Sequence, residues 1–199
     1  MKYYKQLKIE SIVILHRNMF CDQLDKRAAQ DPEKQLLHFL NKKGDIARSL
    51  TSQEFVTQSR NISAHFLKKG IKQGDKVLVI YPPASVVDYL LAFVACMRIG
   101  AVIVSIYPPN PAKLDTDLPK FQNFINNSGA QIALTTTEYK RFVQVSSKLR
   151  KWPKEIKEWI ATDSLSKKSM ELPIGFQNVQ LDPKELIFIQ YTSGSTGIL

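Results

Sequence analysis

Residues 192–197 read Thr-Ser-Gly-Ser-Thr-Gly, small hydroxyls and glycines that follow directly on an apolar stretch ending at Tyr191. Three chemistries fit such a run. A flexible polar tail is the plainest, but a linker needs no apolar strand leading into it. A serine nucleophile in a GxSxG elbow centred on Ser195 would need glycine at position 193, where Ser193 stands, and no upstream histidine-plus-acid pair can be assigned. No catalytic residue is therefore assigned. The third is a phosphate cradle. Gly194 and Gly197 permit positive φ, so that successive N–H groups can converge on an anion. Thr192, Ser193, Ser195 and Thr196 add hydroxyl donors without bulk. The spacing is not that of a Walker A loop. The residues by themselves leave tail and cradle both open.

The elements upstream decide where such a loop would sit. Met19–Gln30 is predicted helical, with Phe20, Leu24 and Ala28 on one face. "KQLLHFLNKKGD" reads as a strand entering a Gly44-Asp45 turn, hence a small hairpin. Thr51 and Glu54 have capping-box spacing. Phe55, Ser59, Ile62 and Phe66 then line one face of a helix that Gly70 closes. From there strands and helices alternate. Val77–Tyr81 is a strand, and Ala84–Gly100 a helix apolar on nearly every side. "AVIVSIYPP" is a second strand, and a helix from Leu118 turns Phe121, Phe124 and Ile125 inward. "QIALTTT" is a third strand, Tyr139–Trp152 a helix, "EWIATDSL" a fourth strand and Leu186–Tyr191 the last. This alternation predicts an α/β fold, a mostly parallel sheet with helices on both faces. Ligand loops of such sheets lie beyond the carboxyl ends of the strands, which is where residues 192–197 fall.

The composition, 44% hydrophobic and 23% charged over 199 residues, is that of a globular chain with a real core. Cys21 and Cys96 are far apart with no CxxC, and the three histidines are scattered, so no metal site is expected. Reduced thiols suit a cytoplasmic protein. The net charge of +10 could serve an anionic partner. Its densest stretch, Lys140, Arg141, Lys148, Arg150, Lys151 and Lys154, is read as the solvated face of a helix. No zinc-finger or RNP-type spacing supports nucleic-acid binding. Asp88 and Arg98 interrupt the apolar run Val86–Tyr107, which is expected to be a buried helix and strand rather than a membrane span.

"FIQYTSGSTG" resembles the phosphate-binding signature of the AMP-forming acyl and amino-acid ligases, a superfamily of acyl-CoA synthetases, luciferases and peptide-synthetase adenylation domains. "FLNKKGDIARSLTSQEF" is similar to that family's early hairpin and first long helix. The stretch from Gly70 to Pro111 is similar to its next strand–helix–strand. Tyr81-Pro82-Pro83, Tyr107-Pro108-Pro109 and Gln190 point to the fatty acyl-AMP ligase branch. The resemblance implies an ATP-dependent ligase that activates a fatty or other carboxylic acid as an acyl-adenylate and releases pyrophosphate, a role in lipid metabolism. Thr192, Ser193, Gly194, Ser195, Thr196 and Gly197 would hold the ATP phosphates, with Mg2+ present. A carrier protein or coenzyme A would supply the accepting thiol. It divides the chain into an N-terminal extension, residues 1–18, and a partial N-terminal ligase domain, residues 19–199. Leu199 stands where the family has proline, and the signature's lysine and glycine, the adenine and ribose sites and the C-terminal domain are expected further downstream. The chain alone is accordingly expected to be inactive. Rival readings are a non-catalytic module that binds a protein partner, another branch of the same superfamily, and a membrane-attached protein using Val86–Tyr107.

Overall fold

The computed structural model describes residues 17–179 and 184–191, with side chains from Phe20 onward. The first helix, α1 (Arg17–Gln30), leads into an antiparallel hairpin of β1 (Gln35–Leu40) and β2 (Ile46–Thr51). Asn41 builds its turn, the side-chain oxygen accepting from the N–H groups of Lys43 at 2.8 Å and Asp45 at 3.0 Å. Helix α2 (Ser52–Lys68) starts on the predicted capping box. Glu54 N–H donates to the Thr51 hydroxyl at 3.2 Å, and Thr51 N–H donates to the Glu54 carboxylate at 2.8 Å. Phe55, Ser59, Ile62 and Phe66 are all buried along its inner face.

The remainder is a parallel sheet wound in both directions. Its strands are β3 (Lys76–Val79), β4 (Val102–Ser105), β5 (Ile132–Thr135), β6 (Glu158–Ala161) and β7 (Phe188–Gln190), in the order β6-β5-β3-β4-β7. Between them run α3 (Val86–Ile99), α4 (Leu114–Ser128) and α5 (Thr137–Ser146). Alternation along the strands makes two cores. Val77, Val79, Ile103, Leu134 and Ile160 pack with α2 and α3, while Leu78, Ile80, Val104 and Ala133 pack with α4 and α5. Full burial of a side chain such as Phe66 stabilises by about 1.5–3 kcal/mol. The α/β class with helices on both faces is therefore as the sequence predicts. The Val86–Tyr107 run is a buried helix and strand, and among the described residues no helix is long and apolar enough to cross a membrane.

Four local differences have physical causes. On α1, Phe20 is half exposed and Cys21 takes the inward place, because the stripe follows Cys21, Asp25 and Ala28. Asp25 is drawn in by Arg98 of α3, a side chain with no exposed surface. Arg98 Nη2 and Nη1 donate to the two Asp25 oxygens at 2.8 and 3.0 Å, Nη1 also to Asn178 at 3.0 Å, and Nε to Ser59 at 3.2 Å. Helix α4 begins four residues early because Asn110 caps the short turn Pro111–Lys113 that enters it. Pro119 is tolerated inside its second turn. Helix α5 starts at a Thr136 cap and stops at Ser146 rather than Trp152. Trp152 folds back, its indole N–H donating to the Ser146 hydroxyl at 3.0 Å, and joins Phe121, Tyr139, Phe142 and Trp159. Only Lys140 and Arg141 of the basic stretch thus lie on a helix. Finally, β7 is three residues long, with Leu186 exposed.

Candidate functional site

Because all five strands of the larger sheet run parallel, their carboxyl ends share one edge. Each end there carries a chemically distinct turn. β3 runs on into Tyr81-Pro82-Pro83, β4 into Tyr107-Pro108-Pro109, β5 into Thr136-Thr137, β6 into Thr162-Asp163 and β7 into Tyr191. Proline fixes φ and removes an N–H, so both Tyr-Pro-Pro turns leave the sheet as stiff, donor-poor ribbons. Between them and α5 lies a groove of about 580 Å3, lined by Pro82, Pro83, Tyr107, Pro109, Tyr139 and Phe142 among others. Glu138 is the one charged residue in its described lining.

Hydroxyls hold this edge together. Tyr81 and Thr162 share a buried hydrogen bond of 2.6 Å. Tyr89 of α3 and Ser105 of β4 share one of 3.1 Å. The Tyr139 hydroxyl donates to the Pro109 carbonyl at 2.9 Å, fixing the second proline turn against α5. Asp163 accepts from both the N–H and the hydroxyl of Thr137, at 2.9 and 2.8 Å, and so anchors the start of α5. Burial pushes the Tyr81 and Tyr139 phenols up, which keeps both neutral. The Thr135 hydroxyl is buried and has no partner among the described residues, a condition that costs about 1–3 kcal/mol.

β7 is pinned from both faces and one side. Ile103 N–H donates to the Ile187 carbonyl at 2.8 Å, and Ser105 lies opposite Gln190 in parallel register. Phe188 meets Phe93 of α3 edge-on, with ring centroids 5.6 Å apart. Tyr191 stacks obliquely on Phe124 at 4.7 Å and donates to Asn127 at 2.7 Å. The chain is therefore delivered to the carboxyl edge at Tyr191, one residue before the predicted cradle. Thr192, Ser193, Gly194, Ser195, Thr196 and Gly197 lie outside the described residues. What the structure does bring together is the pair of Tyr-Pro-Pro turns, 26 residues apart, as two walls of one groove. Their repetition after successive strands was the available signal. Among the described residues no three His, Cys, Asp or Glu side chains cluster as a metal-ligand set, so no side chain is assigned to magnesium. Cys21 and Cys96 are both buried free thiols.

A family model described as "AMP-binding enzyme" matches residues 24–198. Human "Disco-interacting protein 2 homolog A" is 30% identical over 182 residues, covering 89% of this chain and 11% of that protein. The "Medium-chain-fatty-acid--[acyl-carrier-protein] ligase JamA" of Moorena producens is 27% identical over 176 residues, 88% of this chain and 28% of that protein. Among solved structures, a fatty acyl-adenylate ligase from L. pneumophila, in complex with acyl adenylate and pyrophosphate, superposes with a TM-score of 0.69. It is 28% identical and covers 88% of this chain and 28% of that one. The chain thus spans roughly a tenth to a quarter of the length of these relatives.

Proposed function

The chain belongs to the AMP-binding enzyme family, and we propose that it supplies the N-terminal part of a site that activates a fatty acid as its acyl-adenylate. In that reaction a carboxylate oxygen attacks the α-phosphorus of ATP. The bond to the bridging oxygen breaks, and pyrophosphate leaves with the electron pair. Catalysis then requires fixed donors where charge grows on the leaving group. The observation that carries this reading is the delivery of β7, held by β4, Phe93 and Phe124, to the carboxyl edge immediately before Thr192–Gly197. The amides and hydroxyls of that run are the proposed donors to the phosphates. Magnesium belongs to the same proposal as a companion of the phosphates. The Tyr-Pro-Pro groove, nearly free of charge, suits an uncharged portion of a substrate and not a polyphosphate. The likeness to fatty acyl-AMP ligases supports a fatty acid over an amino acid. A carrier-protein or coenzyme A thiol as acceptor, and a cytoplasmic setting, complete the proposal.

The test is ATP–pyrophosphate exchange with carboxylic acids of graded length. Residues 1–199 alone are expected to give none. The same residues joined to the downstream part of a fatty acyl-AMP ligase are expected to exchange, and Gly194→Val should abolish it. A folded fusion with no fatty-acid-dependent exchange would overturn the reading, and exchange by the 199-residue chain alone would overturn its inactivity. A second reading, a non-catalytic protein-binding module, is favoured by the relatives named Disco-interacting protein. It expects stable association with a protein partner and no nucleotide binding in any fusion.

A further inference from the structure

A second concavity lies on the flank of α2, sharing no lining residue with the carboxyl-edge groove. Asn61, His65 and Lys68 of α2 and Lys69, the residue that caps it, line it at the spacing that puts side chains on one face. The segment after β6 closes it with Leu165, Lys168 and Met170. Its shape is held by Asn61, whose side-chain N–H donates to the Ser166 carbonyl at 3.1 Å. The Asn61 oxygen accepts from Met170 N–H at 3.4 Å. The cavity measures about 420 Å3.

The rim is cationic, with Lys68, Lys69 and Lys168 in its lining. Lys69 is paired with Glu158 at 2.7 Å. Lys68 and Lys168 have no carboxylate partner among the described residues. His65 holds its proton less readily than a free imidazole, first because it is buried and then because of the Lys69 charge. Glu158 opposes this, and Lys168 and Lys68 add to it. Lys68, Lys69 and Lys168 line the same groove as His65. Beneath them Leu165 is buried and Met170 half-buried, an apolar floor.

Cations over an apolar floor select for an anion that carries hydrocarbon. A bare phosphate would leave Leu165 and Met170 wet, and a neutral lipid would leave Lys68 and Lys168 without a counter-charge. We infer that this groove binds an anionic amphiphile, a medium-chain carboxylate, its head between Lys68 and Lys168 and its chain along Leu165 and Met170. At roughly 30 Å3 per water-sized group, the volume takes about a dozen chain atoms, the length of laurate. The inference does not rest on the adenylation reading, since it uses no residue of the carboxyl edge.

The experiment is photo-crosslinking of the 199-residue chain with a mid-chain diazirine analogue of laurate, mapped by peptide mass spectrometry. The diazirine alcohol of equal length, unlabelled dodecyl phosphate and inorganic phosphate are run beside it. Labelling is expected within residues 61–69 and 165–170, at least tenfold weaker with the alcohol. Dodecyl phosphate should compete and inorganic phosphate should not. Lys168→Glu should raise the half-saturating concentration about fivefold, the effect of one exposed charge, and Met170→Asp about tenfold. Labelling confined to residues 82–85 and 107–111 would place the ligand at the carboxyl edge and overturn the inference. So would equal labelling by the alcohol, or competition by inorganic phosphate. The comparison of acid with alcohol uses the unaltered chain, so it stands if either variant fails to fold.

Discussion

Replacing Asp25 by alanine should be among the most damaging single changes away from the sheet. Asp25 accepts from Arg98 at 2.8 and 3.0 Å, from Asn178 at 3.1 Å and from Arg60 at 3.0 Å. Arg98 has no exposed surface, whereas the Asp25 side chain is 18% exposed. Removing the carboxylate leaves a guanidinium buried without its counter-charge, which costs about 3–5 kcal/mol. Domains are typically stable by about 5–15 kcal/mol, so this is a large share. At about 2–4 °C per kcal/mol for a chain of this size, Tm should fall by roughly 6–20 °C. Arg98→Met removes the charge that needs a partner, so the double variant Arg98→Met/Asp25→Ala should lose less than Asp25→Ala alone. Urea unfolding of the three variants measures this, and amide exchange across residues 172–179 should rise in Asp25→Ala as Asn178 loses one of its three anchors. Burial alone would raise the Asp25 pKa, but the hydrogen bond and charge of Arg98, with Asn178 and Arg60, carry it below the ordinary aspartate value. A depressed carboxylate stabilises the fold above its unfolded pKa, about 4, and that contribution is lost as pH falls through the folded value. The stability difference between the parent and Asp25→Asn should therefore be flat from about pH 5 to 7 and shrink below about pH 4. A loss under about 1 kcal/mol for Asp25→Ala, or a double variant equal to the sum of its singles, refutes the reasoning.

Thr135→Val exchanges a buried hydroxyl that has no partner among the described residues for a methyl group and should stabilise by about 1 kcal/mol; a lowered urea midpoint would show that the hydroxyl has a partner. Gly100 ends α3 at φ 73°, where a Cβ would stand 2.9 Å from both Gln73 Cγ and Val179 Cγ1. Gly100→Ala should therefore lose about 1 kcal/mol more than Gly129→Ala, which has the same kind of φ but open space; equal losses would mean backbone strain accounts for both. Burial holds the Cys21 thiol up to about 11, and the Cys96 thiol further up. Neither should react with an aromatic disulfide reagent at pH 8 until the chain unfolds, and a fast-reacting native thiol would contradict their burial.

Much of the fold was legible because each signal was local. Thr51 and Glu54 form their capping box from three residues' spacing, and strands such as Lys76–Val79 read as apolar runs because both faces are covered. What escaped required a partner distant in sequence. Phe20 has the right spacing for the core, but Arg98, 73 residues from Asp25, decides which side of α1 turns inward. The end of α5 was misplaced because Trp152 is satisfied by an aromatic cluster that includes Trp159 of β6, and helical periodicity cannot register that competition. The site was legible in its position and not in its walls. A strand followed by Thr, Ser and Gly points to the carboxyl edge, whereas the convergence of two Tyr-Pro-Pro turns depends on β3 and β4 being parallel neighbours.

The Arg98 network reaches further than α1. Asn178 donates to Asp22 at 2.7 Å as well as to Asp25, and Val179 N–H donates to the Arg98 carbonyl at 2.9 Å. The segment that approaches β7 is thus fastened to α1 and to the end of α3. β7 itself is fastened through Phe188 to α3 and through Tyr191 to α4. Helix α1 therefore helps fix the approach to the strand that ends just before Thr192–Gly197. A cradle of small residues has no bulk of its own with which to hold a position, so the proposed phosphate donors depend on that fastening. A hydrocarbon at position 98 could not replace this fastening: only a fork of donors can bind Asp25, Asn178 and Ser59 at once.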